Sequence, residues 1–359
     1  MKSFVVVGLG YGDEGKGATV DFLCHRFKVD CVVKYSGGHQ AGHRVVVGDK
    51  EHVFSQYGSG ALAGVPTYLD RDFIIEPMAM AAERAALRSL GANTQVHAHR
   101  CCPITTRYHR AINRLLSPSR STCGVGVGAT RLTDNLGIGL RVGHLSERNG
   151  LDVIYRLRSY LLAMAKRKDP KCYLDNEFMT QMSVTPAAVW EEIQQGSIGN
   201  LWEADEVDAS SIVVFEGSQG VLLDETYGDE WATYSTVTPR NALEFPGYYP
   251  EQSMIIGVMR TYLTRHGRCN GEINWEEHDR EDANNKWSRW QGPMRQTAWG
   301  KQLSRAKNIA KPDVLALNHL DERPDPLTFA SPVLIEGRGP DRADRRLIDA
   351  LLPEWVAEK

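Results

Sequence analysis

Apolar residues gather in short runs that stop at glycine clusters, and these runs alternate with stretches in which apolar positions recur three and four apart. Residues 4–7 form such a run and meet a glycine-rich segment, after which 18–27 places Val20, Leu23, Cys24 and Phe27 on one face of a helix. Residues 31–35 (CVVKY) predict the next strand, followed by a second glycine-rich loop over 37–43 and a hairpin-like pair at 44–47 and 52–55. Apolar runs at 212–215, 254–259 and 314–317 predict further strands. Helical spacing covers 77–90, which opens on Pro77 where a helix tolerates proline, and also 151–166, 187–195 and 342–352.

Strands alternating with helices predict an α/β fold: a mostly parallel central sheet with helices on both faces and ligand loops at the strand C-termini. Glycine-rich loops do follow the runs ending at Val7, Tyr35 and Phe215. No internal repeat, low-complexity tract or linker interrupts the chain, so 1–359 reads as a single domain elaborated by surface insertions. The polar, tryptophan-bearing stretch 270–290 predicts a surface excursion able to close over a site.

Composition removes several classes of function. With 359 residues, 42% of them hydrophobic, the chain can bury a large core. No window approaches the roughly 18 consecutive apolar residues of a membrane span, and the opening MKSFVVVGLG reads as a strand entering a glycine loop rather than a signal peptide. A cytoplasmic protein without a membrane partner is expected. A formal net charge of -3 gives no general attraction to nucleic acid, and the dense basic stretch is confined to 338–346. The cysteines number 7, an odd count without CxxC pairs or a disulfide framework, and read as reduced thiols.

The strongest chemical signal is 10–17, GYGDEGKG, which meets the GxxxxGK half of a phosphate-binding loop between a predicted strand and a predicted helix. An ordinary loop of this kind follows its lysine with a magnesium-binding Ser or Thr, whereas Gly17 has no hydroxyl. Asp13 offers a carboxylate within the loop instead, able to ligate a metal or accept a proton. The plain alternative, a tight turn with a surface lysine, sits poorly with the strand-loop-helix setting. The second cluster, 37–43 (GGHQAGH), leaves open backbone groups beside His39 and His43, and a histidine near a phosphate can protonate developing oxyanion charge. A zinc half-site would need a helix, which the glycines oppose, and a third ligand. Alternating glycines at 122–128 (TCGVGVG) can wrap a phosphate, and Gln219 in 216–220 (EGSQG) can hydrogen-bond either a purine edge or nearby backbone.

GDEGKG, GGHQAGH, TCGVGVG, FEGSQGVLLD, TRHG, NHLD and GPDR, in this order, resemble the adenylosuccinate synthetase family from about residue 4 to about 345. The resemblance implies a ligase that joins L-aspartate to C6 of a purine nucleoside monophosphate, dGMP or IMP, using ATP or GTP and Mg2+, through a 6-phosphoryl intermediate. By the same resemblance Asp13 takes the proton from purine N1, His43 acts as acid at the transferred phosphate, and Lys16 holds that phosphate with Gly12, Glu14, Gly15 and Gly17. Magnesium would sit between Asp13, the Gly42 carbonyl and the phosphates. Gln40, Thr122, Cys123, Gln219 and Thr233 fall on positions that contact the monophosphate nucleotide, Arg295 on the site for the carboxylates of L-aspartate, and Asp321 and Gly339 on positions beside the triphosphate nucleotide. A homodimer is implied as well.

The departures from the family pattern point to its viral, dGMP-using branch. The arginine-rich run is reduced to PMRQ around Arg295, Cys123 replaces a threonine, Gln40 an asparagine, and Gly137 an arginine that reaches across the dimer. His319 and Gly337 replace a lysine and a serine beside the guanine of GTP, which favours ATP. The chain is also shorter than cellular members, and in a bacteriophage protein the expected location is the host cytoplasm; Asp13, which some viral members replace, is retained. Outside this family, a phosphate-loop kinase or GTPase switch should carry a hydroxyl after Lys16, and a catalytically dead nucleotide-binding module should have lost Asp13 or His43.

Overall fold

The computed structural model describes residues 1–117, 122–147, 149–197, 202–203, 207, 212–269, 273–277, 290, 292–322 and 331–357. In chain order the strands are β1 (Lys2–Gly8), β2 (Cys31–Lys34), β3 (His43–Val47), β4 (Lys50–Phe54), β5 (Thr67–Leu69), β6 (Val96–Ala98), β7 (Trp202–Glu203), β8 (Ile212–Gly220), β9 (Ser253–Arg260), β10 (Leu263–His266), β11 (Glu276–Glu277), β12 (Met294–Thr297), β13 (Val314–Asn318), β14 (Val333–Gly337) and β15 (Arg345–Leu347). The helices are α1 (Lys16–Arg26), α2 (Pro77–Ser89), α3 (Arg107–Leu116), α4 (Val127–Asn135), α5 (Gly150–Lys168), α6 (Asn176–Ser183), α7 (Pro186–Ser197), α8 (Arg240–Leu243), α9 (Lys301–Ala310) and α10 (Glu354–Ala357), with short 3-10 turns between them.

Ten strands form one sheet in the order β15-β14-β13-β9-β1-β8-β2-β5-β6-β7. Every pairing in it is parallel except β14 with β15. Strand β1 is apolar from Phe4 to Val7, where helices cover both faces of the parallel sheet. Val5 and Val7 join the core that includes Ala306 and Ala310 of α9, while Phe4 and Val6 join Val20, Leu23 and Cys24 of α1 on the other face. A third core links β5 and β6 to α2, α3, α5, α6 and α7 through Leu69, Ala98, Met80, Tyr108, Ile154, Phe178 and Val189. Two small antiparallel additions complete the sheets: β3-β4, and β10-β12-β11. No described helix is long and apolar enough to cross a membrane.

The α/β class and the mostly parallel sheet match the expectation, two local expectations change, and a third falls mostly on residues that are not described. Residues 342–352 are not a helix. Asp341 caps a 3-10 turn, Arg342–Asp344, β15 then pairs antiparallel with β14, and a second 3-10 turn follows at Asp349–Leu351. The helical spacing there arises because Leu347, Leu351 and Leu352 all reach the same apolar core from an edge strand and a turn. Second, β8 does not stop at Phe215 but runs to Gly220, so Gln219 lies on a strand rather than in a loop. Third, 270–290 lies largely outside the described residues. Its described parts include β11, and Trp275, whose ring meets Tyr11 edge-on. Trp290 returns to the 122–128 segment, where its ring lies over Gly124 and beside Arg114. Strands of only three residues, β5 and β6, leave no readable period in the sequence.

Candidate active site

The loop between β1 and α1 is organised by its own acid. Glu14 turns inward, and its Oε1 accepts hydrogen bonds from the amides of Gly10 (3.0 Å) and Gly12 (2.7 Å), while Oε2 lies 2.7 Å from Lys16 Nζ. Both side chains of this ion pair are buried. Backbone amides and an ammonium converging on one carboxylate are the kind of donors that can also receive a phosphate oxygen. Asp13 adopts the left-handed conformation, φ 62°, and its Oδ2 lies 3.3 Å from Nε2 of His266 at the end of β10. Burial opposes its charge, but the hydrogen bond and charge of His266, with Arg260 and Lys16, outweigh this and hold the carboxyl well below the usual carboxylate range.

Gly17 shows why the phosphate-loop hydroxyl is missing. A Cβ at that position would lie 2.6 Å from His43 Cβ and 3.0 Å from Ser59 Oγ, so the second residue of α1 is the floor on which His43 rests. Gly17→Ser, which restores the ordinary phosphate-loop residue, is expected to cost about 1–3 kcal/mol in stability by overpacking and to lower kcat by displacing His43. A melting temperature and kcat equal to those of the unaltered protein would show that the contact is dispensable.

His43 opens β3 and is buried. Its Nδ1 bonds to Glu216 Oε1, and its Nε2 lies 3.1 Å from the Ser218 carbonyl. Glu216 is also held by Ser59, whose amide and hydroxyl donate at 2.9 and 2.5 Å. Lys34, its register partner on β2, is fully buried and donates to Ser55 O at 2.8 Å. Burial works against the Glu216 charge, but Lys34, His43 and Ser59 hold its pKa down at about 2, so it stays a carboxylate. Both His43 partners are acceptors, so a proton on each ring nitrogen would satisfy both. Burial pushes its pKa down against the pull of Glu216, which makes that imidazolium a stronger acid and suits it to donate a proton.

The remaining motif loops close around this centre. The Gly37 amide donates to Ser235 Oγ at 2.8 Å, His39 Nε2 lies 3.2 Å from the Val125 carbonyl, and Tyr234 lies over Gly128. The loops 37–43, 122–128 and 233–235 therefore meet at the end of β8, where Ser218 packs on Gly37. His39 and His43 face different partners. Gln40 keeps both carboxamide atoms buried without a hydrogen-bond partner, as does the Oε1 of Gln219. Such orphaned groups are costly unless a ligand pairs with them.

Thr122 is hydrogen-bonded to Asn113 of α3, which also receives the Gly126 amide at 3.1 Å, and Cys123 is half-buried beside it. The Thr233 amide donates to Leu223 O at 2.8 Å, placing Thr233 next to Tyr234 at the same edge. Gly42 is exposed beside His43. Arg295 lies on β12 of the small sheet, opposite Arg265, with Nη1 2.5 Å from Gly267 O and 3.2 Å from Cys269 Sγ. Asp321 is exposed in the turn after β13, and Gly339 packs on the Asp344 carboxylate in a turn that reaches the β3-β4 hairpin through Asp341 and Gly48.

Sequence reading passed over Glu216, Lys34, His266, Arg260 and Tyr234 as individual residues. Signals existed for the first two: an acid directly continuing an apolar strand and a lysine inside CVVKY are buried charges, which demand partners. The pairing of His266 with Asp13 links the end of β10 to the phosphate loop and leaves no trace in local sequence.

The profile described as adenylosuccinate synthetase matches residues 5–321. The chain is 29% identical over 298 residues to the adenylosuccinate synthetase of Streptomyces griseus, covering 78% of this chain and 67% of that one. With the enzyme of Thermoplasma volcanium it shares 27% over 351 residues, covering 89% and 76%. Among solved structures, fully ligated adenylosuccinate synthetase from Plasmodium falciparum superposes with a TM-score of 0.75 at 17% identity, over 97% of this chain and 100% of that one. Cyanophage S-2L succinoaminodeoxyadenylate synthetase, bound to dGMP and to dATP as an energy donor, gives a TM-score of 0.67 at 17% identity over 99% of each. At that identity the likeness concerns the fold.

Proposed function

The chain belongs to the adenylosuccinate synthetase family and is a carbon-nitrogen ligase, and on that premise we propose that its substrates are dGMP, L-aspartate and ATP. In this reading Asp13 accepts the N1 proton of the purine, O6 attacks the γ-phosphorus, and the bond to ADP breaks. Lys16 and the loop amides hold the transferred group, and His43 donates its proton to it. The amine of L-aspartate then attacks C6, the C6–O6 bond breaks, and phosphate leaves, giving the N6-succinyl derivative of 2-amino-2′-deoxyadenylate. The packing of His43 on Gly17 carries this mechanism, because it puts the acid against the residue that follows Lys16, on the loop that bears Asp13. Glu14 holds Lys16 in place until a phosphate takes over its donors.

Magnesium fits the donors present. Among the described residues no three His, Cys, Asp or Glu side chains gather as a metal cluster, so an ion would combine Asp13 and the Gly42 carbonyl with phosphate oxygens, the hard donors magnesium prefers. Bound there, it would neutralise charge on the phosphates. Homodimer formation remains part of the proposal by family resemblance.

Several features support dGMP with ATP. Gln40, Cys123 and Gly137 depart from the family at the monophosphate side, and the cyanophage protein of the same fold is one bound to dGMP. At the base end, His319 is drawn towards Glu322, 3.2 Å away, and a Cβ on Gly337 would lie 2.4 Å from Asn318 Oδ1, which leaves no room for the family's serine. The second reading is IMP with GTP, favoured by curated relatives that are adenylosuccinate synthetases and by the retained Asp13. Incubation with L-aspartate, Mg2+, either dGMP or IMP, and either ATP or GTP, followed by mass spectrometry of the nucleotides, separates them. Succinylated product is expected from dGMP with ATP; product from IMP alone overturns the dGMP assignment.

A further inference from the structure

Three consecutive carbonyls of the loop between β1 and α1 are each held by a side chain of a neighbouring strand. Thr264 Oγ1 lies 3.2 Å from Gly12 O, Arg260 Nε 2.5 Å from Asp13 O, and Asn318 Nδ2 3.0 Å from Glu14 O. Arg260 and Asn318 are register partners at the ends of β9 and β13. In a trans peptide the N–H points opposite to the C=O, so fixing each carbonyl aims the amides of Asp13, Glu14 and Gly15 away from the side chains that hold them. Arg260 is buried, and it does more than hold one carbonyl. Its Nη1 donates to Tyr262 OH at 3.0 Å and lies 3.7 Å from Glu322 Oε2; Tyr262 also bonds to Glu322, which in turn meets His319. Asp13 and His319 are both non-glycine residues in the left-handed region, at φ 62° and 61°. That region is sparsely populated for such residues and persists only where surroundings impose it.

We propose that Arg260 is a positioning residue that fixes Asp13 and its flanking amides for phosphoryl transfer and, through Tyr262 and Glu322, ties that geometry to the turn at 319–321 beside the base of the triphosphate nucleotide. The inference rests on the ligase reading for its effect on turnover, and on the loop alone for its effect on anion binding. Loss of the guanidinium frees the Asp13 peptide and leaves Glu322 without its cation. Arg260→Lys keeps the charge but cannot reach Asp13 O and Tyr262 OH together.

Two measurements on the full chain test it: kcat with saturating substrates, and calorimetric binding of tripolyphosphate, which carries phosphates and no base. Arg260→Met is expected to lower kcat about 100-fold and weaken tripolyphosphate about tenfold, and Arg260→Lys to remain at least tenfold below the unaltered enzyme in kcat. Glu322→Gln is expected to lower kcat about tenfold alone and to add nothing to Arg260→Met. Full recovery in Arg260→Lys would mean that charge alone matters and would overturn the positioning role, as would values within threefold for Arg260→Met. Multiplicative losses in the double variant would overturn the tie to the base turn. If the unaltered protein forms no succinylated nucleotide while Arg260→Met still weakens tripolyphosphate, the ligase substrates are wrong and the inference about the loop stands.

Discussion

Replacing His43 with alanine is expected to lower kcat about 10³-fold, the middle of the range that a positioned general acid contributes, while the protein still folds. The fold should survive because the buried groups behind His43 remain paired without it. Glu216 keeps both Ser59 donors and the Lys34 charge, and Lys34 keeps the Ser55 carbonyl. Turnover should not survive, because no other described imidazole shares its place: His39 faces Val125 and His266 faces Asp13. Glu216→Gln separates the parts of this reading. A neutral amide cannot hold the charged imidazole, so kcat should fall by one to two orders of magnitude, about 1.4–2.7 kcal/mol of barrier. That variant should also lose acid-dependent stability in a predictable sense. The Glu216 pKa is depressed in the fold, so its contribution is present above the ordinary glutamate value of 4.5 and fades as pH falls towards about 2. Measured kcat within threefold of the unaltered enzyme for His43→Ala would remove the acid assignment.

The sheet and the loops at its strand ends were legible because they rest on local rules. Short apolar runs predicted β1, β2, β9 and β13 to within a residue or two, the first two stopping at glycine clusters, since a parallel strand covered on both faces is mostly apolar. The same logic failed at 342–352, where apolar side chains at helical spacing reach one core from an edge strand. It also cut β8 short at Phe215, because Glu216, Ser218 and Gln219 look like loop residues until their buried partners are known. Motif spelling located Asp13, Lys16, His43 and Gln219. It could not show that Glu14 closes the loop on Lys16, that Gly17 makes room for His43, or that Asp13 is flanked by His266 and Arg260. Those relations join residues as far apart in the chain as Asp13 and Arg260, which are brought together by the pairing of β1 with β9.

Asp13→Asn is expected to reduce kcat by about 10³-fold or more if Asp13 is the group that takes the purine proton, again within the span of general-base contributions. Asparagine is the informative replacement, since it is nearly isosteric and, like aspartate, tolerates the left-handed conformation that Asp13 occupies at φ 62°. The loop should therefore keep its shape, with Arg260 on the residue's carbonyl and Thr264 on the preceding one. What disappears is the negative charge, and with it the proton acceptor, while the amide oxygen that remains is a weaker, neutral donor to magnesium. Alanine would confound these losses with relaxation of the backbone, and comparison of the two variants isolates the chemical part. In the unaltered protein His266, Arg260 and Lys16 keep the Asp13 carboxyl ionised down to strongly acid pH. The acid limb of kcat/KM for the purine should consequently not report Asp13, and it should keep its midpoint in Asp13→Asn while the whole profile drops. An acid midpoint that moves in this variant would show that Asp13 itself titrates in the free enzyme, and a kcat within threefold of the unaltered value would show that the N1 proton leaves by another route.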